Sequence, residues 1–174
     1  EQIIGMKLVK FQKEWLDLLK KHNKICIMAF RSSGKTRHMM VHYALWNAMT
    51  RPKTQYIIIS KTLPQAKEVL KDIRITIETN PFLKSLIPSN KSMSWSATEL
   101  ELRNHSRILS KPYSDSVRGL HVEGLMIDEL GLMEDRDILK KAILPTIRAK
   151  RGFFVGAGTP MSSIDLLHEI EHDA

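Results

Sequence analysis

An apolar run, Ile25-Cys26-Ile27-Met28-Ala29-Phe30, leads straight into Arg31-Ser32-Ser33-Gly34-Lys35-Thr36, and a helical pattern follows at once. No other feature constrains the fold so tightly. A short apolar run that ends in polar turn residues reads as a buried strand. A helix that opens directly after a glycine turn aims its free N–H groups at whatever the turn encloses, and such groups attract anions. From Ala29 to Thr36 the spacing matches a phosphate-binding loop, with Ala29 where the first glycine usually stands. In that reading the backbone of Ser32, Ser33 and Gly34 wraps the phosphates and Gly34 permits close approach. Lys35 reaches the β- and γ-phosphates of ATP, and the Thr36 hydroxyl binds Mg²⁺.

The rest of the chain supplies the frame that such a loop needs. Helical spacing over 8–20, 35–49, 63–78 and 135–148 alternates with apolar strands at 25–30, 55–60, 122–128 and 153–158, and a last helix is expected over 162–171. This βαβα rhythm predicts an α/β fold with a mostly parallel central sheet flanked by helices. Between 81 and 111 the rhythm breaks: prolines 81 and 88 mark a loop. Two short alternating segments, 94–102 and 106–110, then predict a small β-hairpin insertion that turns at Asn104-His105.

The strand over 122–128 ends in two carboxylates, Asp128 and Glu129. Alone, that pair is an ordinary polar turn. Downstream of a phosphate loop it predicts Asp128 as a Mg²⁺ ligand beside Thr36 and Glu129 as the base that orients and deprotonates an attacking water. Binding phosphate requires no base, so the pair points to an ATPase with one strand inserted between its two nucleotide motifs. Arg31, inside the loop, is placed to neutralise charge on the γ-phosphate; its alternative is a solvated loop arginine.

Composition narrows the partners. The chain has 174 residues, enough for a single domain spanning 1–174 with a core that needs no disulfide; Cys26 is its sole cysteine. Lys and Arg number 27 against 19 Asp and Glu, a net charge of +8 and a pI near 9.6, which favours an anionic partner such as nucleic acid. No apolar run reaches the ~18 residues of a membrane span. Glu1-Gln2-Ile3-Ile4-Gly5 does not read as a secretory signal and lacks an initiator Met, so a trimmed, cytoplasmic fragment is expected.

Taken together, these motifs resemble the ATPase domain of a viral terminase large subunit, the motor that packages DNA into tailed-bacteriophage and herpesvirus heads. The resemblance covers nearly the whole chain. Arg31-Ser32-Ser33-Gly34-Lys35-Thr36 is similar to that family's loop, which carries an early arginine and often no first glycine. Gln12 matches an adenine-motif glutamine, with Phe11 or Trp15 as apolar neighbours, and Gln65-Ala66 resembles another recurrent pair. Ser116-Val117-Arg118-Gly119 resembles the segment leading into the acidic strand, and Gly158-Thr159-Pro160 the coupling motif.

The resemblance implies a P-loop NTPase of the ASCE division and a homo-oligomeric, usually pentameric, ring. That ring would work with double-stranded DNA, the capsid portal and a small terminase subunit in the host cytoplasm, with ATP and Mg²⁺ as cofactors. It implies Arg118 as an arginine finger for a neighbouring subunit; a pair with Glu123 or another acid is the alternative. Relatives continue into a nuclease domain, for which a chain stopping at Ala174 leaves no room, so no nuclease activity is expected here. Two other readings stay open: one RecA-like domain of a superfamily 2 helicase, and a non-hydrolysing, nucleotide-gated DNA-binding module. The cluster Lys140, Lys141, Arg148, Lys150 and Arg151 fits DNA phosphates or a solvated helix face equally. His168 and His172, four apart, read as surface residues.

Overall fold

The computed structural model describes residues 8–90 and 94–159. The helix expected over 162–171, His168, His172 and Pro160 lie outside the described residues.

Helix α1 (Lys10–Lys21) leads into strand β1 (Lys24–Met28). After the phosphate loop a wide helical segment, Thr36–His42, with hydrogen bonds spanning five residues, passes without a break into α2 (Tyr43–Thr50). Strand β2 (Gln55–Ser60) and helix α3 (Leu63–Thr79) follow, then β3 (Glu99–Glu101), β4 (Arg107–Pro112) and β5 (Gly124–Ile127). The last expected helix within the described residues is built from α4 (Arg136–Ile138), a second wide segment Leu139–Ile143, and α5 (Pro145–Arg148), before β6 (Phe153–Gly158). Wide turns of this kind hold one extra residue, which hydrophobic spacing does not reveal, and they collect at functional sites.

The strands form one sheet in the order β1-β6-β5-β2-β4-β3. Every pairing is parallel except β3 with β4. The expected hairpin is present, with Leu100 opposite Ile108, but its second strand is no appendage. β4 pairs along its whole length with β2, from Gln55↔Arg107 to Ser60↔Pro112, and so extends the parallel sheet. One strand, β6, separates β1 from β5, and with them the phosphate loop from the acidic pair.

Both faces of the sheet are covered, as parallel sheets require. Alternation along β2 sends Tyr56 and Ile58 to one side, where they meet Met39, Met40 and Leu45 behind the loop and Ile73 and Ile77 of α3. Ile57 and Ile59 face the other side, against Leu139, Ile143 and Ile147. The start of α3 is fixed locally: the Thr62 hydroxyl accepts from the Gln65 N–H, and the Gln65 side chain accepts from the Thr62 N–H. This cap is a structural use for the glutamine that resembles half of a family pair.

Packing is tight at Gly124, where β5 passes under two aromatic rings. A Cβ there would crowd the Phe153 ring and lie 2.7 Å from Tyr56 Cδ1. We expect Gly124→Ala to cost about 1–3 kcal/mol through overpacking, read as a lower urea midpoint with an unchanged slope. A wild-type midpoint would show that the two rings do not close on this strand.

Candidate active site

The loop leaving β1 contains two left-handed residues, Ser32 (φ 62°) and Gly34 (φ 87°). Alternating backbone hands in this way turn successive N–H groups toward a common centre, an anion-binding concavity. Gly34 is demanded by space as well as by backbone, since a Cβ would stand 2.8 Å from the His38 ring and 2.9 Å from Gln12 Nε2. Beside the loop opens a cleft of about 500 Å³. The loop residues from Arg31 to Thr36 line it together with Glu129 and Thr159. Two further lining residues, Arg37 and Leu132, are not among those that the motifs single out. Arg37 was legible in principle, since it follows Thr36 directly.

Lys35 is 4% exposed, and its ammonium donates to the carbonyls of Ala29 (2.9 Å) and Phe30 (3.1 Å) and to Thr159 Oγ1 (3.1 Å). The cation thus sits curled over the loop, on oxygens that phosphate oxygens could replace. Ser33 Oγ is buried with no hydrogen-bond partner, a polar atom suited to a ligand in this cleft.

At the loop's end the Thr36 hydroxyl lies 3.0 Å from each oxygen of the Asp128 carboxylate, which stands just past the end of β5 and does not itself line the cleft. Burial raises the pKa of Asp128 to about 6, against the opposing effect of the Thr36 hydrogen bond. A buried carboxylate whose bonded partner is a neutral hydroxyl is short of positive charge. Hard oxygen donors of this kind fit Mg²⁺, which favours one or two carboxylates together with substrate phosphates. Among the described residues no group of three or more His, Cys, Asp or Glu could hold a metal ion by itself.

Glu129 occupies the left-handed region (φ 51°, ψ 46°), a strained backbone for a side chain of its kind, and such strain gathers at functional sites. Its Oε2 accepts from the Thr159 N–H at 3.2 Å. Thr159 therefore touches both Lys35 and Glu129. Gly158 joins the same cluster by accepting from the Ala29 N–H at 3.2 Å, so Gly158 and Thr159 of the segment expected to couple lie directly against the loop.

Gln12 sits behind the loop. Its Nε2 donates to the Ser33 carbonyl at 2.9 Å and its Oε1 accepts from the Val9 N–H at 3.1 Å, so both ends of the amide are engaged. In this arrangement it braces the loop, and it does not line the cleft. Arg118 lies outside the cleft as well. Its guanidinium pairs with Asp115 at 2.9 Å and reaches the Lys141 carbonyl at 3.4 Å. The alternative partner, Glu123, instead accepts from Lys150 and the Gln55 N–H. Gly119, next to Arg118, has φ 79° with open space around it. Of the expected basic cluster, Lys141 pairs with Asp137 and Lys150 with Glu123.

One buried feature has no signal in the motifs. His38 and His42 lie one turn apart behind Gly34 with their rings tilted at 54°, Nδ1 to Nδ1 at 3.2 Å. Burial lowers both pKa values, that of His42 to about 4, which favours the neutral rings.

Comparison with solved structures places this architecture. Over 97% of its length the chain matches 70% of the large terminase ATPase domain of Thermus phage P74-26, with a TM-score of 0.76 and 19% identity. The chain has the fold of a phage large terminase ATPase domain. The large terminase of bacteriophage HK97 gives a TM-score of 0.77 at 19% identity, over 97% of this chain and 37% of that one. The large terminase of a thermophilic bacteriophage, solved in complex with ADP, gives 0.68 at 12% identity, over 88% of this chain and 39% of that one. Identities this low carry the terminase fold and nothing finer. No protein-family model and no curated protein matches the sequence. Among the described residues no helix is long and apolar enough to cross a membrane.

Proposed function

We propose that this chain is an ATP-hydrolysing motor domain of the large-terminase kind, with double-stranded DNA as the polymer it moves. One observation carries the reading: Thr36 and Asp128, 92 residues apart, meet at 3.0 Å beneath a phosphate-loop backbone, with Glu129 alongside. The N–H groups of Ser32 and Gly34 and the unpartnered Ser33 hydroxyl hold the phosphates, and Lys35 exchanges its loop oxygens for β- and γ-phosphate oxygens. Thr36 and Asp128 would hold Mg²⁺, and the ion would supply positive charge to the phosphate oxygens. Arg31 stabilises the γ-phosphate from the loop side. Glu129 accepts a proton from water as the water oxygen bonds to the γ-phosphorus and ADP leaves.

The large terminase of the thermophilic bacteriophage has been solved with ADP and with ATP-γ-S, which supports a nucleotide in this cleft. The net charge of +8 supports a polyanionic partner. Assembly as a ring on a capsid portal with a small terminase subunit, in a host cytoplasm, belongs to the same proposal.

The first test is binding. Lys35→Ala removes charge-assisted hydrogen bonds and should weaken ATP by about 2–3 kcal/mol, roughly 30- to 150-fold. Thr36→Ala, which leaves the loop lysine in place, should cut Mg²⁺-dependent binding and spare the metal-independent part. Unchanged affinity of a labelled ATP analogue in both variants would mean that the cleft is not a nucleotide site.

A further inference from the structure

The loop holds a residue for which phosphate chemistry has no use. Phe30 is 65% exposed, a large apolar ring one residue before Arg31, where the lining of the polar cleft begins. It is not loosely placed. Its carbonyl accepts from the Ser33 N–H at 3.3 Å, which ties its backbone into the loop, and its ring stands edge-to-face with Phe11 of α1 at 6.1 Å. Phe11 in turn meets Trp15 edge-to-face at 5.1 Å. One side of the Phe30 ring is therefore braced by an aromatic row, and the exposed remainder is left for a partner.

We infer that Phe30 supplies the face on which the base of a bound nucleotide stacks. This rests on reading the cleft as a nucleotide site, and the sheet order then sets the direction of the ligand. β1 is an edge strand, with β6 and β5 on its inner side carrying Thr159 and Glu129 toward the cleft. The γ-phosphate must face Glu129, so the nucleoside leaves toward the opposite side. On the Phe30 side of the loop runs α1, with its Phe11 ring against Phe30 and its Gln12 amide on the Ser33 carbonyl. A base tethered there by phosphates on Ser32 to Thr36 meets an exposed aromatic ring one residue before Arg31.

The same geometry says how the base is held. The amide of Gln12 is engaged at both ends, so it does not read the base edge in this arrangement. Stacking remains, and stacking is tolerant because every base has a π-face. Phenylalanine also suits the task, since a ring with two side-chain torsions loses little freedom when a partner covers it.

The test separates base from phosphate. The protein with Mg²⁺ is titrated calorimetrically with ATP, GTP and inorganic tripolyphosphate, as wild type, Phe30→Ala and Phe30→Trp. We expect Phe30→Ala to weaken ATP and GTP alike by about tenfold while tripolyphosphate affinity stays as in wild type. Phe30→Trp should keep ATP at or above wild-type affinity. Unchanged ATP affinity in Phe30→Ala overturns the inference, as does an equal loss for all three ligands, which would mark a deformed loop. Loss of ATP with GTP spared also overturns it, because that pattern requires hydrogen bonds to the base edge. If wild-type protein binds no tripolyphosphate, the phosphate-loop reading itself fails and takes this one with it.

Discussion

Replacing Glu129 with glutamine should leave ATP bound and slow its hydrolysis by about 100-fold or more. The geometry makes this a clean removal of a base. The Thr159 N–H donates to Glu129 Oε2, and the carbonyl of a glutamine amide accepts the same hydrogen bond. The left-handed backbone at 129 can be kept, because shape and size are conserved. What disappears is the capacity to take a proton. Single-turnover phosphate release beside equilibrium ATP binding measures both halves of the expectation. Turnover at the wild-type rate would move the base elsewhere, and loss of binding would recast Glu129 as a structural or metal-holding residue.

A larger effect is expected at Arg118, where arginine fingers in other systems contribute about 10³ to 10⁵ in rate. Arg118 does not line its own cleft, so any catalytic role must be played in a neighbouring subunit. Its present contacts would not hold it back. The pair with Asp115 is solvent-exposed, and such pairs contribute about 0–1 kcal/mol. Gly119, in the left-handed region with open space where a Cβ would stand, gives the segment room to reach outward. We therefore expect slow hydrolysis by the single chain, with specific activity that rises with protein concentration. Arg118→Ala should abolish that rise and spare ATP affinity, because a finger acts on the transition state.

Mixing supplies the decisive measurement. Alone, Arg118→Ala subunits are expected to keep only the slow rate of the single chain, and Glu129→Gln subunits to be about 100-fold or more below wild type. In a mixture, an Arg118→Ala subunit keeps its base and borrows a finger from its Glu129→Gln neighbour. Recovered activity supports action between subunits. Absent recovery, with light scattering showing mixed oligomers, would leave Arg118 as the partner of Asp115 and nothing more.

Much of this site could be read before any coordinates, and the reason is local. A strand, a glycine turn and a helix N-terminus are adjacent in sequence, so Ser32 to Thr36 announce themselves, as do Asp128 and Glu129 at the end of an apolar strand. The residue-for-residue agreement at β2, 55–60, reflects a strand buried on both faces and cut off by polar neighbours. Contacts made through the backbone or across the sheet were not legible. Alternation in 106–110 shows that two faces differ, yet it does not name a neighbouring strand, and so the place of β4 beside β2 was missed. Gln12 carried a family resemblance but no hint that its amide would be engaged at both ends. The wide turns at Thr36–His42 and Leu139–Ile143 keep an apolar face and so look like ordinary helix.

Thr159 meets its two partners with different parts of itself: the hydroxyl takes the Lys35 ammonium, and the main-chain N–H serves Glu129. Mutational drift at this position is accordingly free on one side and closed on the other. Serine, valine or alanine could retune the grip on the lysine, and only proline, which has no N–H, would release the glutamate. Related chains could thus vary how firmly the loop lysine is latched while the anchor of the Glu129 carboxylate passes unchanged through every substitution but one.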